Sequence, residues 1–272
     1  MFTVPRIPLS CFIIAKNEAD RLERTIGAVR DWVDEVIVID SGSTDGSQAV
    51  AENSGARVIF NAWPGFGQQK RFGETQCRND WLLNLDADEV VSPDLAVEIQ
   101  RMFVNAEPAL AAYSLRINDV YPGCRRPRLW ARDFIVPRLY DRRRARFKDS
   151  PIHDSVDAAG QSTVTLKGEV YHFSARTYDD QIQKAVERAR YNADHSKLKS
   201  VTTLRLRLVF EFPLAFLKYY LVRRHFTGGL KGFVASMIGA YSRFSRIARM
   251  LEMAERPDSI KAQAEPLNLR KQ

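Results

Sequence analysis

Four short, almost wholly apolar runs in the first third of the chain leave it few possible folds. LSCFIIA from Leu9, EVIVID from Glu35, ARVIF from Ala56 and WLLNLD from Trp81 read as buried strands. The stretches between them follow the helical period. Leu22, Ile26, Val29 and Val33 recur at spacings of four, three and four and form one helix face. SGSTDG is a turn that feeds the next helix, with Ser43 or Thr44 as its N-cap. Ser92-Pro93 is a cap followed by proline at the first helical position, and Leu95, Ile99, Met102 and Phe103 give that helix its apolar face. Buried strands alternating with helices across short turns predict a parallel sheet covered on both faces. Such sheets bind ligands at the carboxyl ends of their strands.

The pattern changes near Ala111. AYSLRI, FIVPRLY and VTLKGEVYHF are strand-like, separated by Pro, Gly and Asp, and finish the sheet with mixed strands. From Thr177 to about Glu255 the chain reads as helical. Leu230, Phe233, Val234, Met237, Ile238, Tyr241, Phe244, Ile247 and Leu251 keep a three-and-four spacing after a break at Gly228-Gly229. The expected organisation is an α/β domain over residues 1–175, a helical segment over 176–256 and a polar, frayed tail over 257–272. The longest apolar candidate, Leu208 to Val222, holds Glu211, Pro213 and Lys218, which argues against a membrane-spanning helix.

Composition narrows the class. In 272 residues, 45% hydrophobic and 27% charged are ordinary globular values, which exclude a disordered or collagen-like chain. Cys11, Cys77 and Cys124 are scattered and odd in number, against a disulfide framework or zinc site and in keeping with a reducing compartment. The N-terminus does not read as a signal peptide, so the expected location is the cytoplasm. The net charge of +8 suits nucleic acid, an anionic membrane or a phosphorylated substrate. No nucleic-acid module accompanies it, so nucleic acid is not the expected partner.

Asp86-Ala87-Asp88-Glu89 closes the fourth strand and Asp40 closes the second. Crowded carboxylates repel unless a cation lies between them, and hard oxygens suit Mg²⁺ or Mn²⁺ with phosphate oxygens as further ligands. In a parallel sheet, Asp40, Asp86 and Asp88 are expected on one rim. Taken alone, LDADE also reads as a solvated loop start.

The order Ala15-Lys16-Asn17-Glu18, then Asp40-Ser41-Gly42-Ser43-Thr44-Asp45-Gly46, then LDADE resembles glycosyltransferase family 2, whose members have the GT-A fold: a Rossmann-like mixed sheet flanked by helices, here with a C-terminal helical extension. The likeness covers roughly Ile7 to Phe103. IIAKNE, WVDEVIVIDSGSTDGS, NAWPGFGQQKRFG and WLLNLDADE, with PRLYDRR, PIHDSV and GEVYHFS later, are similar to the WaaE/KdtX-type lipopolysaccharide-core glucosyltransferases.

The resemblance implies a nucleotide-sugar half over about 7–105 and an acceptor half over about 106–175. Ala15, Asn17 and Glu18 match the nucleotide-lining positions. Asp40 matches the nucleotide-contacting acid, with Ser41 in place of the second acid of the DDGS form. Asp86 and Asp88 match the DxD pair that meets metal, ribose and diphosphate. Lys70 is either a diphosphate contact or a solvated helix lysine. Arg138 is the best single candidate in the arginine-dense stretch for neutralising a diphosphate or phosphorylated acceptor; the alternative is a solvated basic loop. Asp154 matches the general base, where glutamate is more usual, with Asp157 as rival, and His153 is a candidate for positioning the acceptor. His172 is either a third metal ligand or a structural histidine; His195 and His225 read as surface residues.

The activity so implied is inverting, metal-dependent transfer of a hexose, glucose from UDP-glucose, to an inner-core sugar of lipopolysaccharide at the inner face of the cytoplasmic membrane. Alternatives are a polyprenyl-phosphate or capsule acceptor, or a non-catalytic nucleotide-binding scaffold. Phe210 to Leu221, followed by Arg223 and Arg224, suit either an interfacial helix on an anionic leaflet or packing against protein.

Overall fold

The computed structural model describes residues 6–131, 134–150, 154–158, 160 and 162–256. They group into two compact units, Met1–Asp119 with Asp133–Phe173, and Val120–Arg132 with Ser174–Gln272. The expected tail at 257–272 lies outside the described residues.

The first unit is built on β1 (Ile7–Ala15), α1 (Ala19–Gly27), β2 (Val33–Asp40), α2 (Ser47–Asn53), β3 (Arg57–Phe60), α3 (Phe66–Gln76), β4 (Trp81–Asp86), β5 (Glu89–Val91), α4 (Pro93–Met102), β6 (Ala112–Asp119), β7 (Phe134–Asp141), β8 (Arg146–Phe147), β9 (Val156–Asp157) and β10 (Val164–His172). Eight strands form one sheet in the order β3-β2-β1-β4-β7-β6-β10-β5, and β8 pairs with β9 apart from it. β1, β2, β3 and β4 run parallel. β7 is antiparallel to both β4 and β6, so the expected mixed half begins there. This is the helix-flanked mixed sheet of the GT-A fold.

The period of two along β1 divides the core. Leu9, Cys11, Ile13 and Ala15 enter one cluster with Leu22, Ile26, Leu95 and Ile99 of α1 and α4. Phe12 enters the other with Ile37, Ile39, Leu82 and Tyr140. Ser92 caps α4 as expected, its Oγ accepting from the Leu95 N–H at 3.2 Å. The three cysteines are free thiols.

Local expectations fail in three places. β3, read in ARVIF as a buried strand, is the edge of the sheet, with Arg57 and Phe60 exposed. α1 ends at Gly27 and Val33 opens β2. Helix-type bonds such as Val33 N–H to Val29 O persist through the intervening turn, which is why the apolar spacing ran on. The N-cap of α2 is Gly46, at φ 89° and with no side-chain cap, rather than Ser43 or Thr44. Those two residues bond across to other parts of the rim, as described below. β5 is a strand that the acidic sequence around it does not announce.

The second unit holds α5 (Tyr178–Asp194), α6 (Val201–Leu217), a π-helical turn Lys218–Val222, a 3₁₀ turn His225–Gly228 and α7 (Gly229–Glu255). Ala193, Leu204, Ile247 and Met250 form its small core. Gly229 opens α7 where the glycine pair was expected to break the helix. No helix among the described residues is long and apolar enough to cross a membrane.

Gly168 sits where β10 shifts register against β6, and a Cβ there would lie 2.5 Å from Leu95 Cα. Backbone cannot yield as a side chain does. Gly168→Ala is therefore expected to destabilise the first unit by about 1–3 kcal/mol. Denaturant unfolding checks this; an unchanged midpoint would contradict the packing of α4 on β10.

Candidate active site

β1 lies between β2 and β4, with Ala15 opposite Asp40 and Ile14 opposite Asp86. The carboxyl ends of three strands thus share a rim, and two loops leaving it are tied together. Asn17 adopts φ 57°; its N–H donates to Ser43 Oγ and its Oδ1 accepts from the Thr44 N–H, both at 2.9 Å. The Glu18 N–H donates to Ser47 Oγ at 2.8 Å and the Ala19 N–H to Asp45 Oδ2 at 3.1 Å. Ala15 contributes its carbonyl, which accepts from the Ser41 N–H at 3.0 Å.

Asp40 is buried and organises the second loop. It accepts from the N–H groups of Gly42 and Ser43 at 2.9 and 3.0 Å, from Gln48 Nε2 at 2.7 Å and from the Ser43 hydroxyl. Burial alone would raise its pKa, but these bonds outweigh burial and hold it below the ordinary 3.8.

Asp86 and Asp88 have separate partners. Asp86 Oδ2 lies 2.9 Å from Arg138 Nη2, and Asp86 Oδ1 lies 2.9 Å from Lys70 Nζ. The lysine contact is an ion pair outside hydrogen-bonding angles, so that oxygen is buried without a hydrogen bond. Burial would raise the Asp86 pKa; Arg138 and then Lys70 outweigh it and hold the carboxyl well below the usual range. Arg138 also donates to Asn84 Oδ1 and lies 3.5 Å from Glu89 Oε1. It is 7% exposed, so the expected phosphate contact is in this structure a strand arginine engaged with its neighbours in the sheet.

Lys70 is not the solvated lysine of the alternative reading. It is fully buried on α3, and its Nζ also donates to Asp154 Oδ2 at 2.9 Å. The candidate base and the first acid of the DxD pair therefore share one cation. Asp157, the rival base, lies on β9 opposite Arg146. His153 lies outside the described residues.

Asp88 Oδ2 accepts from Arg21 Nη1 at 3.0 Å, and Asp88 Oδ1 stands 3.5 Å from His172 Nε2. The other ring nitrogen of His172 lies 2.8 Å from Asp119 Oδ1. Burial would lower the histidine pKa, but the bonds to Asp119 and Asp88 push it up to about 10. An imidazole and a carboxylate side by side, the ring oriented from behind by a second carboxylate, is a donor set that fits a divalent cation. A bound cation would take the place of the ring proton. Among the described residues no group of three His, Cys, Asp or Glu side chains forms a full ligand set. Water or phosphate oxygens would have to complete the coordination.

Arg21 and Asp119 were missed at the sequence level. Asp119 carries the same signal as Asp40 and Asp86, an acid closing a strand; Arg21 carries none. His195 is exposed as expected, whereas His225 is half-buried, 2.8 Å from the Tyr121 hydroxyl. Elsewhere in the first unit a concavity of about 460 Å³ is lined by Arg71, Arg142, Arg143, Arg144, Arg146 and Lys148. Its cations are largely matched: Arg142 and Arg143 by Asp80, Arg143 also by Glu107 and Asp141, and Arg146 by Glu74.

The pattern of the Glycosyl transferase family 2 matches residues 10–160, more than half of the chain. An uncharacterized glycosyltransferase of Rickettsia bellii is 38% identical over 256 residues, covering 90% of this chain and 87% of that one. The lipopolysaccharide core biosynthesis glycosyltransferase LpsC of Rhizobium meliloti is 28% identical over 263 residues, covering 92% and 94%. A crystal structure of Mycobacterium tuberculosis glucosyl-3-phosphoglycerate synthase with Mn²⁺, UDP and glucosyl-3-phosphoglycerate aligns at 25% identity and a TM-score of 0.34, over 43% of this chain and 45% of that one. The family pattern and the sequence relatives define an enzyme class, the glycosyltransferases. The chain belongs to glycosyl transferase family 2.

Because the Asp40 pKa is lower in the folded chain, its hydrogen bonds stabilise the loop above about pH 3.8 and are lost as acidification protonates it. Amide exchange should therefore show Gly42 and Ser43 protected near neutral pH and released in acid. Asp40→Ala should release both at every pH.

Proposed function

We propose that the rim formed by β1, β2 and β4 binds a nucleotide-sugar, a UDP-hexose, and that the enzyme transfers the hexose with inversion to a lipid-linked glycan. The observation that carries this reading is Lys70 Nζ, 2.9 Å from both Asp86 Oδ1 and Asp154 Oδ2. It sets a carboxylate able to take a proton beside the strand end that would hold the donor.

In this reading Asn17, Glu18 and the loop built on Asp40 line the nucleotide, and the first unit, within the expected 1–175, acts as the catalytic domain. Asp88 and His172 hold a divalent cation, Mg²⁺ or Mn²⁺, which when bound supplies positive charge for the departing diphosphate. Lys70 and Arg138 keep Asp86 ionised at the donor side. The acceptor hydroxyl attacks the anomeric carbon from the face opposite the diphosphate. As the new C–O bond forms and the bond to the diphosphate breaks, the hydroxyl proton passes to Asp154. His153, next in sequence to Asp154, would position the acceptor.

The acceptor is proposed to be an inner-core sugar of lipopolysaccharide, reached at the inner face of the cytoplasmic membrane. What supports this is the likeness along nearly the whole chain to LpsC, named for lipopolysaccharide core biosynthesis. The donor is proposed to be UDP-glucose.

The test pairs thermal shift with transfer assays. UDP-sugar plus Mn²⁺ or Mg²⁺ is expected to raise the Tm of the wild type, and EDTA to remove the rise. Asp88→Asn should lose both the metal-dependent rise and transfer. Asp154→Asn should keep the rise while kcat falls by about 10²–10⁴. Full activity in Asp88→Asn would overturn the site. Truncated core oligosaccharide and polyprenyl phosphate, offered side by side, discriminate the acceptors.

A further inference from the structure

The second unit exposes much of the apolar stripe that its sequence suggests should be core. Ile238 and Ile247 are buried, but Leu230, Phe233, Met237 and Tyr241 face outward. Exposed apolar residues run along α6, from Leu206 to Leu217, and continue into the corner between α6 and α7. Val222 is 70% exposed and Leu230 78%, with Leu221 and Phe226 beside them in sequence also exposed.

A distant stretch of chain joins this corner. Residues 120–131 belong to the helical unit, and four contacts clip them to it. Arg128 Nη2 donates to the Arg223 carbonyl at 2.9 Å and Thr227 Oγ1 to the Leu129 carbonyl at 2.7 Å. Lys231 Nζ donates to the Pro122 carbonyl at 3.0 Å, and the Tyr121 hydroxyl meets His225 Nδ1 at 2.8 Å. Gly228 allows the approach, since a Cβ there would strike the Tyr121 ring at 2.5 Å. The clipped loop presents Leu129 at 76% and Trp130 at 68% exposure.

Charge on these segments has one sign. Residues 120–131 carry Arg125, Arg126 and Arg128, and residues 212–231 carry Lys218, Arg223, Arg224 and Lys231; neither stretch contains an acid. Arg125, Arg126, Lys218 and Arg224 are exposed. A second copy of this surface would set cation against cation, which disfavours self-association. A polyanion in water would match the charge but leave the apolar residues wet. An anionic lipid leaflet satisfies both, with apolar side chains below the headgroups, arginines among the phosphates and tryptophan at the boundary.

We propose that the α6–α7 corner and the 120–131 loop form one interfacial anchor. It inserts Leu129, Trp130, Leu221, Val222, Phe226 and Leu230 into an anionic leaflet. This names the surface for the membrane contact of the proposed function and rests on that reading. The anchor is composite, so neither chain segment suffices alone.

Vesicle sedimentation of the full chain tests it, comparing phosphatidylcholine vesicles with vesicles containing phosphatidylglycerol. The wild type is expected to bind the anionic vesicles, with affinity falling as salt rises. The double substitution Trp130→Ser, Val222→Ser should weaken binding about tenfold or more through lost apolar burial. Arg125→Glu with Arg126→Glu should remove the preference for anionic lipid. Tm and UDP-induced thermal shift are expected to stay at wild-type values in both variants. Vesicle binding that is absent in the wild type, indifferent to lipid charge or unchanged in both variants overturns the anchor. A dimer in sedimentation velocity that the double substitution dissolves also overturns it, in favour of a second copy. Vesicle binding with no response to any nucleotide sinks the catalytic reading and leaves the anchor standing; nucleotide response without vesicle binding does the reverse.

Discussion

The buried ammonium of Lys70 is the interaction on which the site geometry depends. An ammonium taken out of water loses several kcal/mol of hydration, which a buried lysine recovers only through close acids. Here it has two, Asp86 and Asp154, each 2.9 Å away. They lie 68 residues apart in sequence, on a strand end and on the loop before β9, and the lysine comes from α3, which precedes both in the chain. In the proposed reading the cluster serves the reaction, since buried ion pairs often add little to stability. An arrangement of charge fixed in advance is what the proposed transfer, which expels a diphosphate, requires.

Around that lysine the two acids of the DxD pair are differentiated. Asp86 is claimed by Lys70 and Arg138, whereas Asp88 faces Arg21 and the His172–Asp119 pair. Two carboxylates two residues apart thus occupy different electrostatic surroundings. Asp86 is held ionised by Lys70 and Arg138, and Asp88 by the His172 ring and Arg21. The rim loops add rigidity. Asn17, Asp40 and Asp45 use short polar side chains to hold backbone in place, including the left-handed turn at Asn17 that a larger residue would adopt only with strain.

The helical unit is organised by different means. Its small core is supplemented by ion pairs such as Arg243 with Glu211 and Arg249 with Asp194, which bind α7 to α6 and α5. Exposed ion pairs contribute little individually. The unit also exposes a wide apolar surface.

Sequence alone determined what depends on neighbours along the chain. Burial on both faces of β1, β2 and β4, the helical period, the Ser92-Pro93 cap and the acids closing β2 and β4 are local signals, because secondary structure is read from spacings of two to four residues. The family resemblance was legible for the same reason, since its motifs sit at strand ends. Tertiary structure alone decided what each charged group faces. That Lys70 is buried rather than solvated, that Arg138 pairs with Asp86, that Asp119 stands behind His172 and that the 120–131 loop joins the α6–α7 corner all depend on strand register and helix placement. Those are set by packing over many tens of residues, and an ion pair is made or lost over a few ångströms that no local spacing encodes.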